Sequence, residues 1–221
     1  MERGNQKKAA RKKNQNSSSN LLFLSWSGSL VKQRARCPWN ANDPQMIEYH
    51  DTEWGMPVRD DKVQFEHHLL EIFQAGLSWR TILHRREGFR KAFAGFDPKK
   101  VARFSEKDVK RLLNDEGIIR NKQKIRAAIN NAEKFLTLAK THGSFNNLLQ
   151  QFKPKLKIVY KTEENIPAVT PESEALSKEL KDLGFQFVGP ITCYAHMQSV
   201  GIVNDHIVSC FRFDEIEKLS A

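Results

Sequence analysis

Cysteine and histidine pair up twice at ligand-like spacing, at opposite ends of the chain. Cys37 and His50 stand in "RCPWNANDPQMIEYHDTEWG" (36–55), and His206 and Cys210 in "NDHIVSC" (204–210). Two thiols and two imidazoles make the ligand set of a closed tetrahedral zinc site. If one ion takes all four, the N-terminal segment must lie against the C-terminal end, and every fold that holds the two apart is excluded. Such a site would be structural, because four protein ligands leave no open position. On a helix, His206 and Cys210 would sit one turn apart on one face. Spacing alone also allows a plainer reading, with Cys210 buried, His206 on the surface and Cys37 free, since pairs this far apart follow no standard finger pattern. Cys193 makes the cysteine count three, a poor disulfide set that points to a reducing compartment.

Between these ends the pattern is helical almost throughout, so the expected class is all-α. Asp43-Pro44, Asp97-Pro98 and Thr170-Pro171 each place a capping residue before a proline at the first helical position. Asp60 or Asp61 opens a helix carrying Val63, Phe65, Leu69, Leu70 and Phe73, which Gly76 breaks. Ser78 then caps "WRTILHRREGFRKAF", and Ser105 precedes "EKDVKRLL". A long helix is predicted over 121–141, with Ile125, Ile129, Ala132, Phe135, Leu136 and Leu138 facing the core. Residues 153–169 are mixed; "KLKIVY" alternates but fits an ordered loop better than a strand. "LGFQFVGPITCYAHMQSVG" reads as helix, glycine-rich hairpin, helix.

The length of 221 residues suits one domain with a tail. Residues 1–36 hold nine Lys/Arg against one acid, which accounts for +8 of the net charge of +10. A composition-level attraction to nucleic acid therefore belongs to the tail and not to the body. "KKAARKKNQNSSSN" is basic, rich in Ser and Asn and without periodicity, as expected of a disordered segment over 1–35, a targeting segment or a solvated extension. The longest apolar run, "LLFLSW", falls far short of the ~20 residues that span a bilayer.

Three further features could carry chemistry. Glu71 is the one acid in the apolar stretch "LLEIFQAGLSW" (69–79), where a buried carboxylate is costly unless paired or used. The plainer reading is a Glu on the exposed helix face. Trp39, Tyr49, Trp54 and Trp79 can stack on a planar ligand or simply fill a core. The turn with Gly184 and Gly189 can aim backbone N–H groups at a phosphate, or be an ordinary helical hairpin.

Taken together, "RCPW", "YHDTEWGMPVRDD", "QAGLSWRTIL", "FDPKKVA", "GIIRNKQKI", "TPESEALSKELKDLGFQFVG", "TCYAHMQSVGIVNDH" and the final His206-x3-Cys210 closely resemble the 3-methyladenine DNA glycosylase I (Tag) family of base-excision repair enzymes. The resemblance covers about residues 36–211 and leaves out the tail. It implies an all-α helix-hairpin-helix glycosylase fold. It implies one structural zinc per chain on Cys37, His50, His206 and Cys210, clasping the two termini. It makes Glu71 the carboxylate of a base pocket walled by Tyr49 and Trp79, with Trp39 and Trp54 close by. Gln74, Gly76 and Leu77 would enter the duplex where the base leaves, and Gly184, Gly189 and Thr192 would lie on a DNA phosphate. The implied partner is alkylated double-stranded DNA, met by a monomer with no membrane contact. The implied location is intracellular: cytoplasm or nucleoid in a bacterium, nucleus or organelle in a eukaryote.

In the wider superfamily an aspartate after the hairpin stabilises the sugar cation. Here "VNDH" puts Asn204 in that place, with Asp205 one residue on, and an amide is no general base. "GPITCYA" offers no lysine for a Schiff base, so a monofunctional hydrolase is expected. His196, Ile72 and Phe73 depart from the family pattern and are expected to reshape the pocket rim. Two other readings remain open at this level: a zinc-stapled protein that binds damage without catalysis, and a glycosylase that also takes 3-methylguanine.

Overall fold

Side-chain caps fix where most helices begin. The computed structural model describes residues 34–220 apart from Ala41, and the expectations for the basic tail lie almost wholly outside them. Asp43 accepts from the amides of Gln45 and Met46 at 3.1 Å and starts α1 (Pro44–Thr52). Asp60 does the same at 3.0 Å for α2 (Asp61–Gln74), and Ser78 opens α3 (Trp79–Leu83). There follow α4 (Arg86–Ala92), α5 (Pro98–Val101) behind Asp97, and α6 (Glu106–Leu113) behind Ser105. The longest helix, α7 (Lys122–His142), starts at Asn121, and α8 (Phe145–Gln150) starts at Ser144. Last come α9 (Pro171–Asp182) behind Thr170, α10 (Pro190–Ser199) and α11 (Phe211–Ser220). Short 3₁₀ turns occupy Pro38–Asn40, Ala94–Phe96 and Glu163–Asn165, and no strand occurs among the described residues.

α2 is buried almost all round: Phe65, Leu69, Leu70, Ile72 and Phe73 lose essentially all contact with solvent. It packs against α7, α8 and α10, and Phe65 meets Phe135 of α7 edge-on at 5.2 Å. Its buried polar residues are tied down in turn. Gln64 donates to the Val58 carbonyl at 2.8 Å and meets His196 at 2.9 Å, and His68 meets Asn131 at 3.0 Å. Burial pushes the His67 and His68 imidazoles down to about 3, so both are neutral core residues at ordinary pH. Glu66 is buried between Arg86, at 2.7 Å, and Arg90, at 2.8 Å, which fastens α4 to α2.

Three expectations are corrected. The single helix over 79–93 breaks at His84 and Arg85, because its halves serve different apolar clusters: Leu83 packs with Met46 and Tyr49, while Phe89 packs with Phe73 and Phe93. α8 was not foreseen, although Ser144 followed by Phe145, Leu148 and Leu149 has a cap and a buried helical face. His206 and Cys210 are not on a helix. They lie in the irregular segment before α11, closed by the Cys210 amide donating to the Ile207 carbonyl at 2.8 Å. Residues 153–169, by contrast, form the expected loop.

One close approach brings the two ends together. A Cβ on Gly201 would lie 2.5 Å from the Gly55 carbonyl oxygen, so only glycine lets the chain leaving α10 press onto residues 55–57. The neighbouring Val58 amide donates to the Val200 carbonyl at 3.1 Å. His206 is thereby delivered beside the end of α1, where His50 stands.

Candidate functional site

Cys37, His50, His206 and Cys210 converge in the interior, with one ligand atom from each within 4.8 Å of all the others. The measured edges are 3.6 Å from Cys37 Sγ to His206 Nδ1, 3.4 Å from Cys210 Sγ to His50 Nε2 and 3.6 Å from Cys210 Sγ to His206 Nδ1. Metal–sulfur bonds of about 2.3 Å and metal–nitrogen bonds of about 2.0–2.1 Å give tetrahedral S···N edges of about 3.5 Å. The three measured edges match those of a tetrahedral ion, so the four side chains suit one in number, chemistry and spacing. The outer ring nitrogens are oriented: His50 Nδ1 meets Asp51 at 2.8 Å, and His206 Nε2 meets the Trp54 carbonyl at 3.0 Å. Arg36 anchors Asp51 from outside at 2.7–2.9 Å. The hydrogen bond between the two thiols holds Cys210 on the thiolate side, with help from His206 and His50, and pushes Cys37 up as its donor.

Beside this cluster opens a pocket of about 700 Å³, lined among others by Trp39, Tyr49, Trp54, Glu71, Gln74 and Trp79. The aromatic rings brace one another, with Trp39 to Trp54 and Tyr49 to Trp79 both at 5.1 Å. Trp54 also packs edge-on against His206 at 4.6 Å, so the Cys/His cluster and the pocket share a wall. Asp43 locks α1 to α3 by an ion pair to Arg80 and a contact to His84 Nε2, both at 2.9 Å, and so sets Tyr49 against Trp79. Glu71 is 5% exposed. Burial alone pushes its carboxyl up to about 8. At neutral pH that favours the protonated form, and an ionised Glu71 needs a cation beside it. The indole N–H groups of Trp39 and Trp79 are buried without an acceptor, so the pocket carries polar groups that the fold does not satisfy.

The other residues singled out by sequence fall into three places. Gln74 ends α2 on the pocket wall, Gly76 follows at φ +80°, and Leu77 is 42% exposed at the crest of the turn. Gly184 (φ +83°) opens the turn between α9 and α10, Gly189 caps α10 with no side chain over it, and Thr192 sits in the first turn of α10. Asn204 and Asp205 do not reach the aromatic pocket. They line a separate cavity of about 280 Å³ with Tyr160 and Tyr194. The Asn204 amide donates to the Phe213 carbonyl at 3.1 Å and to Glu217 at 2.8 Å, which ties it to α11.

The expected reshaping of the rim is also corrected: Ile72 and Phe73 are fully buried, and His196 points into the core between His68 and Phe145. Several lining residues escaped the sequence. Glu163, Glu164 and Ile166 arrive from a loop with no periodicity to read. Ala195 and Gln198 come from α10; their three-residue spacing marks one helix face, and Gln198 is a lone amide in an apolar helix.

Known proteins resemble this chain in sequence and in fold. A family profile described as methyladenine glycosylase matches residues 39–213. DNA-3-methyladenine glycosylase 1 of Escherichia coli K12 is 47% identical over 178 residues, covering 79% of this chain and 95% of that protein. DNA-3-methyladenine glycosylase of Haemophilus influenzae is 42% identical over 177 residues, covering 79% and 96%. A crystal structure of 3-methyladenine DNA glycosylase I superposes with a TM-score of 0.77 at 45% identity, over 80% of this chain and 98% of that one. A structure of the Staphylococcus aureus 3-methyladenine DNA glycosylase I, solved for the structural basis of 3-methyladenine recognition, gives 0.76 at 33% identity over 80% and 95%.

Proposed function

The chain belongs to the methyladenine glycosylase family, and we propose that it flips 3-methyladenine out of alkylated DNA and hydrolyses its N-glycosidic bond, without cutting the strand. The observation that carries this is Glu71, a buried carboxyl whose only perturbation among the described residues is burial, in a pocket walled by electron-rich rings. A base stacked in a duplex is out of reach of any such pocket and must leave the helix to enter it. Methylation at N3 makes adenine cationic in the nucleotide. Rings of Trp and Tyr attract a cation over their faces by roughly 0.5–2 kcal/mol each. Glu71 accepts the amino N–H of the base, and the positive charge draws its carboxyl to the ionised form. Neutral adenine gains neither effect.

The chemistry balances without an acid. The bond from sugar C1′ to the base breaks, its electron pair neutralises the base, and water supplies the new C1′–O bond while its proton passes to solvent. Selection is the harder task, and the pocket is built for it. Gln74, Gly76 and Leu77 stand at the rim as the wedge that takes the place of the flipped base. α9, the 183–189 turn and α10 form a helix-hairpin-helix, with Gly184, Gly189 and Thr192 offering the uncapped start of α10 to a DNA phosphate. Cys37, His50, His206 and Cys210 would hold a single structural zinc, which would keep His50 and His206 in place behind Trp39 and Trp54 in the pocket wall. The protein acts on double-stranded DNA as a monomer inside the cell, its glycosylase domain running from 36 to 221. The basic residues of 1–35 add non-specific, salt-sensitive attraction to the backbone. No helix among the described residues is long and apolar enough to cross a membrane. The test is base release from methylated duplex DNA with the released bases identified. Release of 3-methyladenine supports the reading, and binding without release rejects it.

A further inference from the structure

Asp205 is 4% exposed and was expected beside the sugar, yet it does not line the aromatic pocket and is not one of the four clustered Cys/His residues, although His206 follows it in the chain. Both of its side-chain hydrogen bonds converge on one oxygen. Tyr194 Oη donates to Oδ2 at 2.6 Å, and Gln198 Nε2 donates to it at 2.7 Å. Gln198 in turn lines the aromatic pocket, one helical step from Ala195. A carboxylate oxygen so placed accepts, so it takes the NH₂ end of the Gln198 amide and no other. Nothing else on the protein among the described residues competes for the carbonyl end. What Gln198 has left for a ligand is therefore Oε1, an acceptor and the negative end of a dipole.

We propose that Gln198 is a second base-recognition residue of the pocket, presenting Oε1 to the alkylated base, and that Asp205 is the positioning residue that fixes the amide in this orientation. The inference rests on the glycosylase reading above. With Glu71 on α2 and Gln198 on α10, the base meets an acceptor from each of two helices that line the pocket. An amide free to turn would present its NH₂ half the time, and a donor repels a cation. Asp205 removes that alternative before any ligand arrives, which is where preorganisation gains affinity. The same carboxylate also explains why a charged residue is kept in the wall between two cavities: it is satisfied by Tyr194 on one side and by Gln198 on the other.

The test uses the full chain with 3,9-dimethyladenine as probe, because its two ring methyls keep the positive charge that 3-methyladenine gives up on release, followed by the fluorescence of the pocket tryptophans. Gln198→Leu should weaken binding about three- to tenfold, the effect of one neutral hydrogen bond, and Asp205→Asn should do the same. The double variant should be no weaker than either single one, because both remove one interaction. Affinity for an abasic-site duplex should stay within twofold for Gln198→Leu, which a general structural lesion would not allow. Unchanged base affinity in Gln198→Leu, in a protein whose Glu71→Gln form does lose affinity, overturns the role of Gln198. Multiplying losses in the double variant overturn the role of Asp205. Should Asp205→Asn fail to fold, the wild-type protein decides: the Gln198 side-chain NH₂ protons should exchange slowly with solvent, and fast exchange overturns the positioning. A wild-type chain that neither binds the probe nor releases 3-methyladenine fails at the glycosylase reading instead, so the two failures are told apart.

Discussion

Glu71 answers to two opposed demands, and each is measurable. Its folded carboxyl titrates at about 8 because burial disfavours the charge. The unfolded chain loses that proton near the ordinary value of about 4.3. Between those values the folded protein holds a proton that the unfolded one has lost, so this contribution to stability is complete below the lower value and declines as pH rises to about 8. Glu71→Gln has no proton to lose. It should be more stable than wild type at pH 8, by on the order of a few kcal/mol, with the gap closing towards pH 4.5. Melting curves at the two pH values check this; equal curves at both would mean a solvated carboxylate. In function the order reverses. The lost charge-assisted hydrogen bond should cost about 1.5–3 kcal/mol, or roughly ten- to 150-fold in single-turnover release of 3-methyladenine. At subsaturating protein, wild-type release should climb with pH, pass its half-maximum near 8 and level off above that, as the fraction of carboxylate in the free protein does. The sequence singled out Glu71 because an acid in an apolar run is unusual. Its protonation state was not legible there, since it depends on which side chains come near, and among the described residues burial alone shifts it.

At the scale of elements, capping residues were the most readable signal. Asp43, Asp60, Ser78, Asp97 and Thr170 all cap the helices predicted from them, because a cap is a local bond between neighbours in sequence. What stayed hidden depends on partners far along the chain. The C-terminus of α2 shows this. Lys124, 6% exposed and 51 residues beyond Phe73, donates its ammonium to the carbonyls of Phe73 at 3.0 Å and Ala75 at 2.5 Å. It satisfies carbonyls that a helix end leaves without partners and adds a cation where the helix dipole is negative. It thereby fixes the turn of Gly76 and Leu77 that follows. Lys124→Met keeps the aliphatic stem but leaves those carbonyls buried and unpaired, at about 1–3 kcal/mol for each group so orphaned. The melting point should fall by several degrees, and release from duplex DNA should fall further than affinity for the free base, because the wedge acts only on DNA. Equal affinity and equal release would show that the turn holds itself. The break between α3 and α4 was invisible for the same reason: Leu83 and Phe89 answer to different clusters, and no window of sequence contains both.

For the whole molecule, the decisive long-range fact was legible in outline, since two split Cys/His pairs can share one ion only if the ends meet. How they meet was not legible. The helix expected to carry His206 and Cys210 is a turn, and the contact depends on Gly201 crossing the 55–57 segment without a side chain. The consequences of metal loss follow from this construction. Free energy of metal binding becomes folding free energy when the ligands are brought together only by the fold. The large core around α2 and α7 lies outside the cluster, so chelation should leave a folded body with loosened ends. Breaking a site of this kind is expected to cost roughly 5 kcal/mol, and at about 2–4 °C per kcal/mol the midpoint should drop by about 10–20 °C. The purified, unchelated protein should contain one equivalent of zinc, and Cys210→Ser should lose both the zinc and that stability. Cys193→Ser is the control: the thiol is buried and leans on the Val188 carbonyl at 3.5 Å, away from the cluster, so zinc should remain at one equivalent. Base release should weaken in Cys210→Ser through the wall, because Trp54 packs on His206 and Trp39 on His50, and both rings lose their backing. Tryptophan fluorescence should shift on chelation in wild type and not in Cys210→Ser. A small fraction of an equivalent by elemental analysis, or a midpoint indifferent to chelator, would remove the metal from the structure and leave the four side chains as a hydrogen-bonded core.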